Sequence, residues 1–131
     1  MTVADERADL YGQLKDAFPD MAVYDHIPNR MGPNSIVLGE GSPYISETDT
    51  DGSPLPIFTR LVRFTITLVG LKVESDNSRA TNEMDAKIQN LIENVDVSSV
   101  QAPFIMEHTQ GSYLATSANY ETVINLKNRS H

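Results

Sequence analysis

From Phe58 to Val69 the chain alternates between two kinds of residue, and no amphipathic helix accommodates that pattern. Phe58, Arg60, Val62, Phe64, Ile66 and Leu68 fill the even positions and are nearly all apolar. Thr59, Leu61, Arg63, Thr65, Thr67 and Val69 fill the odd positions and are mostly polar. Successive side chains of a strand point to opposite faces, so period two with one wet face predicts an antiparallel sheet covered on one side.

Two helical stretches supply the cover. Residues 3–18 place Val3, Leu10, Leu14, Ala17 and Phe18 on one stripe with charges opposite. Thr2 caps this helix, Asp5 supports the cap and meets the positive helix end, and Pro19 closes the segment. Residues 79–94 carry a second stripe of Ala80, Met84, Ile88, Leu91, Ile92 and Val95, with Asn77 or Ser78 as N-cap.

Shorter strands are expected at MAVYDHI (21–27), stopped by Pro28, and at SIVL (35–38). After the linker VSSVQAP come FIMEHT (104–109), a turn at Gln110 and Gly111, and a last strand over about 117–127. That strand directs Ala118, Tyr120, Ile124 and Leu126 inward and Asn119, Glu121, Asn125 and Lys127 outward, before a tail at about 128–131 that is expected to fray. The order α-β-β-β-α-β-β predicts an α+β two-layer sandwich in a single domain over 1–131. Its sheet is mostly antiparallel, with four to five strands and both helices on one face. The other face, rich in threonine and asparagine, is either solvated or a polar contact surface in an assembly.

A chain of 131 residues buries a core without disulfides, and with no cysteine it has neither thiolate catalysis nor cysteine zinc sites. No apolar run spans a bilayer and no signal peptide is expected. A formal charge of −8 argues against ordinary nucleic-acid binding, which needs cations to displace counterions from phosphates. The acidity is concentrated: between Arg30 and Arg60 there is no lysine or arginine, while Glu40, Glu47, Asp49 and Asp51 all fall there.

Those carboxylates sit in GEGSPYISETDTDGSPLPIF (39–58), expected to form a long acidic loop over about 39–57. Counted from Glu47, Asp49, Asp51 and Gly52 match the opening of a calcium loop, but the twelfth position, where the bidentate glutamate belongs, is Phe58. No metal site is therefore expected. His26 follows Asp25 in a strand, where their side chains would point to opposite faces. His108 lies beside Glu107 with the same objection, and His131 is terminal. There is no nucleophile elbow and no phosphate-binding glycine loop. Catalytic and cofactor-binding residues are expected to be none, and the chain is not expected to be an enzyme.

Several strings together resemble the tail-terminator (tail-completion) proteins of long-tailed bacteriophages. They are the short N-terminal helix, the strand with VYD (23–25), IVLGE (36–40) leading into an acidic loop, and RFTITLVG (63–70). NEMDAKIQNLIENV (82–95) and the closing ATSANYETVINL (115–126) complete the pattern, which covers nearly the whole chain. The resemblance implies a homo-oligomeric ring, usually a hexamer, at the head-proximal end of the tail tube. Such a ring stops tube polymerisation, meets the head-completion proteins of the neck and lets DNA pass. It implies a virion protein assembled in the bacterial host cytoplasm, with the tail tube protein as partner, no enzymatic activity and no membrane.

On that footing Glu40, Glu47, Asp49 and Asp51 become candidates for a lumen-facing or inter-ring acidic loop that repels passing DNA. Arg60, Arg63 and Lys72 become candidates for the subunit interface, although Arg63 has an alternative partner in Glu121 of its own sheet. The alternatives are a head–tail adaptor or stopper of the neck, a small acidic enzyme or ligand-binding domain, and an acidic DNA mimic that inhibits a DNA-binding protein.

Overall fold

A computed structural model describes residues 2–28, 32–73, 78–108 and 111–126. Eight elements follow in order: α1 (Val3–Ala17), β1 (Ala22–Tyr24), β2 (Ser35–Ser46), β3 (Thr59–Lys72), α2 (Ser78–Asn94), β4 (Ser99–Val100), β5 (Phe104–His108) and β6 (Gly111–Asn125). They build an α+β sandwich with a mostly antiparallel sheet. The tail at 128–131, Lys127, Gln110 and the alternative cap Asn77 lie outside the described residues.

The helix starts as its sequence dictates. The Thr2 hydroxyl accepts the Asp5 N–H at 3.1 Å, and the Asp5 carboxylate accepts the Thr2 N–H at 3.0 Å. This reciprocal cap satisfies two of the amides that a helix N-terminus leaves open. Leu10, Leu14 and Phe18 are then buried, and the Phe18 N–H closes on the Leu14 carbonyl just before Pro19. In α2 the residues Ala80, Met84 and Leu91 are buried, followed by Val95 beyond the helix end. Ile92, expected in that stripe, is 56% exposed, because one residue beyond Leu91 turns the helix by about 100°.

The strands run β1-β2-β3-β6-β4, with β5 also pairing to β6. Among the described residues only β1 and β2 run parallel; the other pairs are antiparallel. One face carries Ile36 and Leu38 of β2, Val62, Phe64, Ile66 and Leu68 of β3, and Ala118 and Ile124 of β6. Both helices close over it, forming one core with Leu10, Leu14, Met84 and Leu91. The opposite face is not wholly wet: Val37, Leu61, Val69 and Ala115 are buried there beside the half-exposed Thr65 and Thr67.

The sheet reaches further than the sequence pattern indicated. Ser99 and Val100, in the expected linker, pair with Asn119 and Ala118 and add a sixth strand. β6 begins at Gly111 rather than near 117, because β5 pairs along that first part of it. The acidic loop is shorter than 39–57. Gly39 and Glu40 remain in ladder with Thr65 and Phe64, residues 41–44 bulge, and Ile45 and Ser46 rejoin opposite Val62 and Leu61. A Cβ on Gly41 would stand 2.6 Å from the Cβ of Arg63, so this bulge can approach β3 only without a side chain there. The loop proper is 47–58. At the far end Leu126, expected to face inward, lies beyond β6 and is 38% exposed, its N–H donating to the Phe58 carbonyl at 2.8 Å.

Candidate functional site

Each acidic candidate has its own partner, and the four do not converge. Glu40, on β2, accepts from the Arg7 guanidinium at 3.2 Å, and this hydrogen bond holds its carboxyl below the usual carboxylate range. Glu47 faces Arg60 at 3.6 Å with its side chain 82% exposed. Asp49 and Asp51 instead accept backbone N–H groups of Thr50 and Ser53 at 2.7 and 2.9 Å. The bonds from Ser53 hold Asp51 below its ordinary value as well. Among the described residues no group of three His, Cys, Asp or Glu side chains is placed to hold a metal ion.

The three cations are equally dispersed. Arg60 donates to the Thr59 carbonyl at 2.8 Å and pairs with Glu47. Arg63 lies on the opposite face of β3 and pairs across the ladder with Glu121 at 3.4 Å, the intramolecular partner its position allowed. Both side chains of that pair are largely covered, at 21% and 17% exposure. Thr50 of the loop donates its hydroxyl to the same Glu121 carboxylate at 3.0 Å. Lys72 is exposed at the other end of β3, about 40 Å from Arg60 along an extended strand.

Sequence reasoning overlooked the most connected cation, Arg7. Its guanidinium donates to the Asp25 carbonyl at 3.2 Å, to the Tyr44 hydroxyl at 3.1 Å and to Glu40. It also lies 5.6 Å from the centre of the Phe64 ring and 6.0 Å from that of Tyr44. The hydrogen bond to Tyr44 raises its pKa further, so it stays charged at any working pH. The clue was its helical position: Arg7 stands between Val3 and Leu10 on the same stripe, three or four residues from each. Its job is to tie α1 to the bulge of β2.

His26 is a second correction. It follows the end of β1, and there its Nδ1 meets the Asp25 carboxylate at 2.8 Å instead of pointing away. The pair is solvent-exposed, at 71% and 54%, and the contact lowers the Asp25 pKa. The His108 side chain and His131 lie outside the described residues. A surface cleft of about 440 Å³ lies between the end of α1 and α2, with Phe18 and Met21 beside Glu83, Lys87 and Asn90. Lys87 pairs with Glu83 at 3.8 Å, and Asn90 donates to the Ala17 carbonyl at 2.8 Å. No helix among the described residues is long and apolar enough to cross a membrane.

The lowered carboxylates set a pH dependence. Asp5 is lowered by its cap, Asp25 by His26, Glu40 by Arg7 and Asp51 by Ser53. A carboxyl whose folded pKa is depressed stabilises the fold above its unfolded pKa, near 4, and loses that contribution as pH falls through the folded value. Glu6, raised by burial, acts in the opposite direction. Urea midpoints are therefore expected to fall as pH drops below about 4, with Asp5→Asn flattening part of the slope.

No protein-family model matches the chain, and a search of characterised proteins found no match.

Proposed function

We propose that this chain is a structural virion protein, a tail terminator that assembles as a ring at the head-proximal end of a phage tail tube. The observation that carries the reading is that two groups among its exposed apolar residues stand at different places on the fold, apart from the scattered Ile27, Ile45, Ile92 and Val123. Phe104 and Ile105, 40% and 56% exposed, stand on the free edge of the sheet at β5. Ile57, Phe58 and Leu126, 80%, 44% and 38% exposed, stand at the root of the acidic loop. A ring of identical subunits uses a heterologous interface, in which one surface of each copy meets a different surface of the next. A chain with two unlike apolar areas fits that requirement.

The charge fits the passage of DNA. At −8, with Arg7, Arg60 and Arg63 each beside a carboxylate, the protein offers little to hold phosphates. Asp49 and Asp51 are spent on loop amides only and keep an outward negative field. In this reading the remaining partners are the tail tube protein and the head-completion proteins of the neck, and the compartment is the virion after assembly in the host cytoplasm.

Negative-stain microscopy of the purified protein, alone and with tail tubes, tests the proposal. Hollow rings, or caps on tube ends, are expected. Phe104→Asp with Ile105→Asp is expected to weaken assembly at least tenfold in concentration while leaving the circular dichroism of the monomer unchanged. A protein that stays monomeric at all concentrations and ignores tube ends would overturn it.

A further inference from the structure

Residues 47–58 contain no buried residue, yet they are thoroughly bonded to one another. The Leu55 N–H donates to the Glu47 carbonyl at 3.0 Å, the Asp49 N–H to Ser53 at 2.8 Å, and the Gly52 N–H to Asp49 at 2.9 Å. The carboxylates of Asp49 and Asp51 take two more amides, and Thr48 bridges to Pro54. Links from this unit to the sheet are few: at its roots the Thr48 N–H donates to the Ser46 hydroxyl at 3.2 Å, and the Pro56 carbonyl accepts the Thr59 N–H at 3.0 Å. Thr50 reaches Glu121 on the face away from the helices, and the exposed Glu47 meets Arg60. One root carries backbone strain: Phe58 has φ of +65°, in the left-handed region that a bulky side chain disfavours.

We infer that residues 47–57 are a preassembled flap that swings as one body about roots at Ser46 and Phe58. It is latched by the Thr50–Glu121 hydrogen bond and, when closed, covers the Arg63–Glu121 pair. The internal bonds survive such a motion. Away from the bonds at the two roots, what is lost is one hydrogen bond and a solvent-screened ion pair, with no buried apolar residue exposed from the flap itself, which places the segment among the readily opened parts of the fold. The Arg63–Glu121 pair, a cation and an anion 3.4 Å apart, then becomes available to a neighbour carrying the complementary charges.

The absence of cysteine makes the test clean, since two engineered thiols are the only labelling sites. Spin labels at Ser53→Cys on the flap and Asp85→Cys on the exposed side of α2 report flap position by pulsed dipolar spectroscopy. With Thr50→Val a second distance population is expected to appear, while Thr50→Ser, which keeps the hydroxyl, is expected to match the parent. In the same Thr50→Val protein the Gly52 and Leu55 amides are expected to keep their hydrogen-exchange protection within about twofold of the parent. An unchanged single distance in Thr50→Val would show that the latch does nothing. Loss of protection at Gly52 and Leu55 would show a segment that melts instead of swinging, and either result overturns the inference.

Discussion

Phe64→Ala is expected to lower the unfolding free energy by about 3–5 kcal/mol, the largest loss from any single truncation in this chain. Phe64 is fully buried at the middle of β3, paired between Glu40 of β2 and Tyr120 of β6. The Tyr44 ring meets it edge-on, with centroids 5.8 Å apart and planes at 70°. Truncation removes the transfer free energy of the ring, leaves a cavity between the sheet and the helices that cover it, and ends the aromatic contact. Against a typical total of roughly 5–15 kcal/mol the variant would be only marginally folded. Urea unfolding with an unchanged m-value checks it, and Phe64→Leu, which keeps most of the volume, is expected to cost less than about 1.5 kcal/mol.

The second large effect is expected at Arg7, where replacement by alanine should cost about 2–3 kcal/mol. Little of that comes from Glu40, whose side chain is 52% exposed and whose ion pair is correspondingly screened. The greater part comes from the Asp25 carbonyl and the Tyr44 hydroxyl, which lose their donor, and from the loss of the cation beside two rings. Arg7→Lys keeps the charge but not the planar fork, and is expected to recover less than half of the loss. Because the guanidinium lies 5.6 Å from the centre of the Phe64 ring, the two sites are not independent. A double-mutant cycle with Phe64→Leu is expected to give a coupling of about 0.5–1 kcal/mol, measured by urea unfolding of the four proteins.

Most of the architecture was legible because it rests on period. The even positions of β3 from Val62 to Leu68 face the helices, and Leu10, Leu14, Met84 and Leu91 cover them as their spacing required. The misread stretches are those where pairing overrides local signals. Gly39, Gly41 and Pro43 read as loop residues, yet β3 holds Gly39 and Glu40 in ladder and recaptures Ile45 after a bulge. Ser99 and Val100 have no strand signal, and only the edge of β6 makes them one.

The site was less legible, because charge partners are set by the fold. Glu40 finds Arg7 across 33 residues, and Thr50 finds Glu121 across 71. Arg63 with Glu121 could be read in advance only because both fall on the polar faces of neighbouring strands. Asp25 and His26 were misjudged for the opposite reason: the strand ends at Tyr24, so the alternation that would separate them no longer applies.

The place of β6 in the sheet bears on how the protein comes into being. It is the last strand among the described residues, and it is the partner that completes β3. Until it arrives, β3 ends the sheet of the first half-chain, with Val62, Phe64, Ile66 and Leu68 along an open row of backbone donors and acceptors. Such a row is a template for any other growing copy. At about 5–20 residues per second, synthesis leaves it uncapped for roughly 3–10 s between Lys72 and Asn125. The halves α1-β1-β2-β3 and α2-β4-β5-β6 must then dock through a non-local ladder, the slow kind of closure. That interval on the ribosome is the exposed moment, after which the same edge lies sealed at the centre of the sheet.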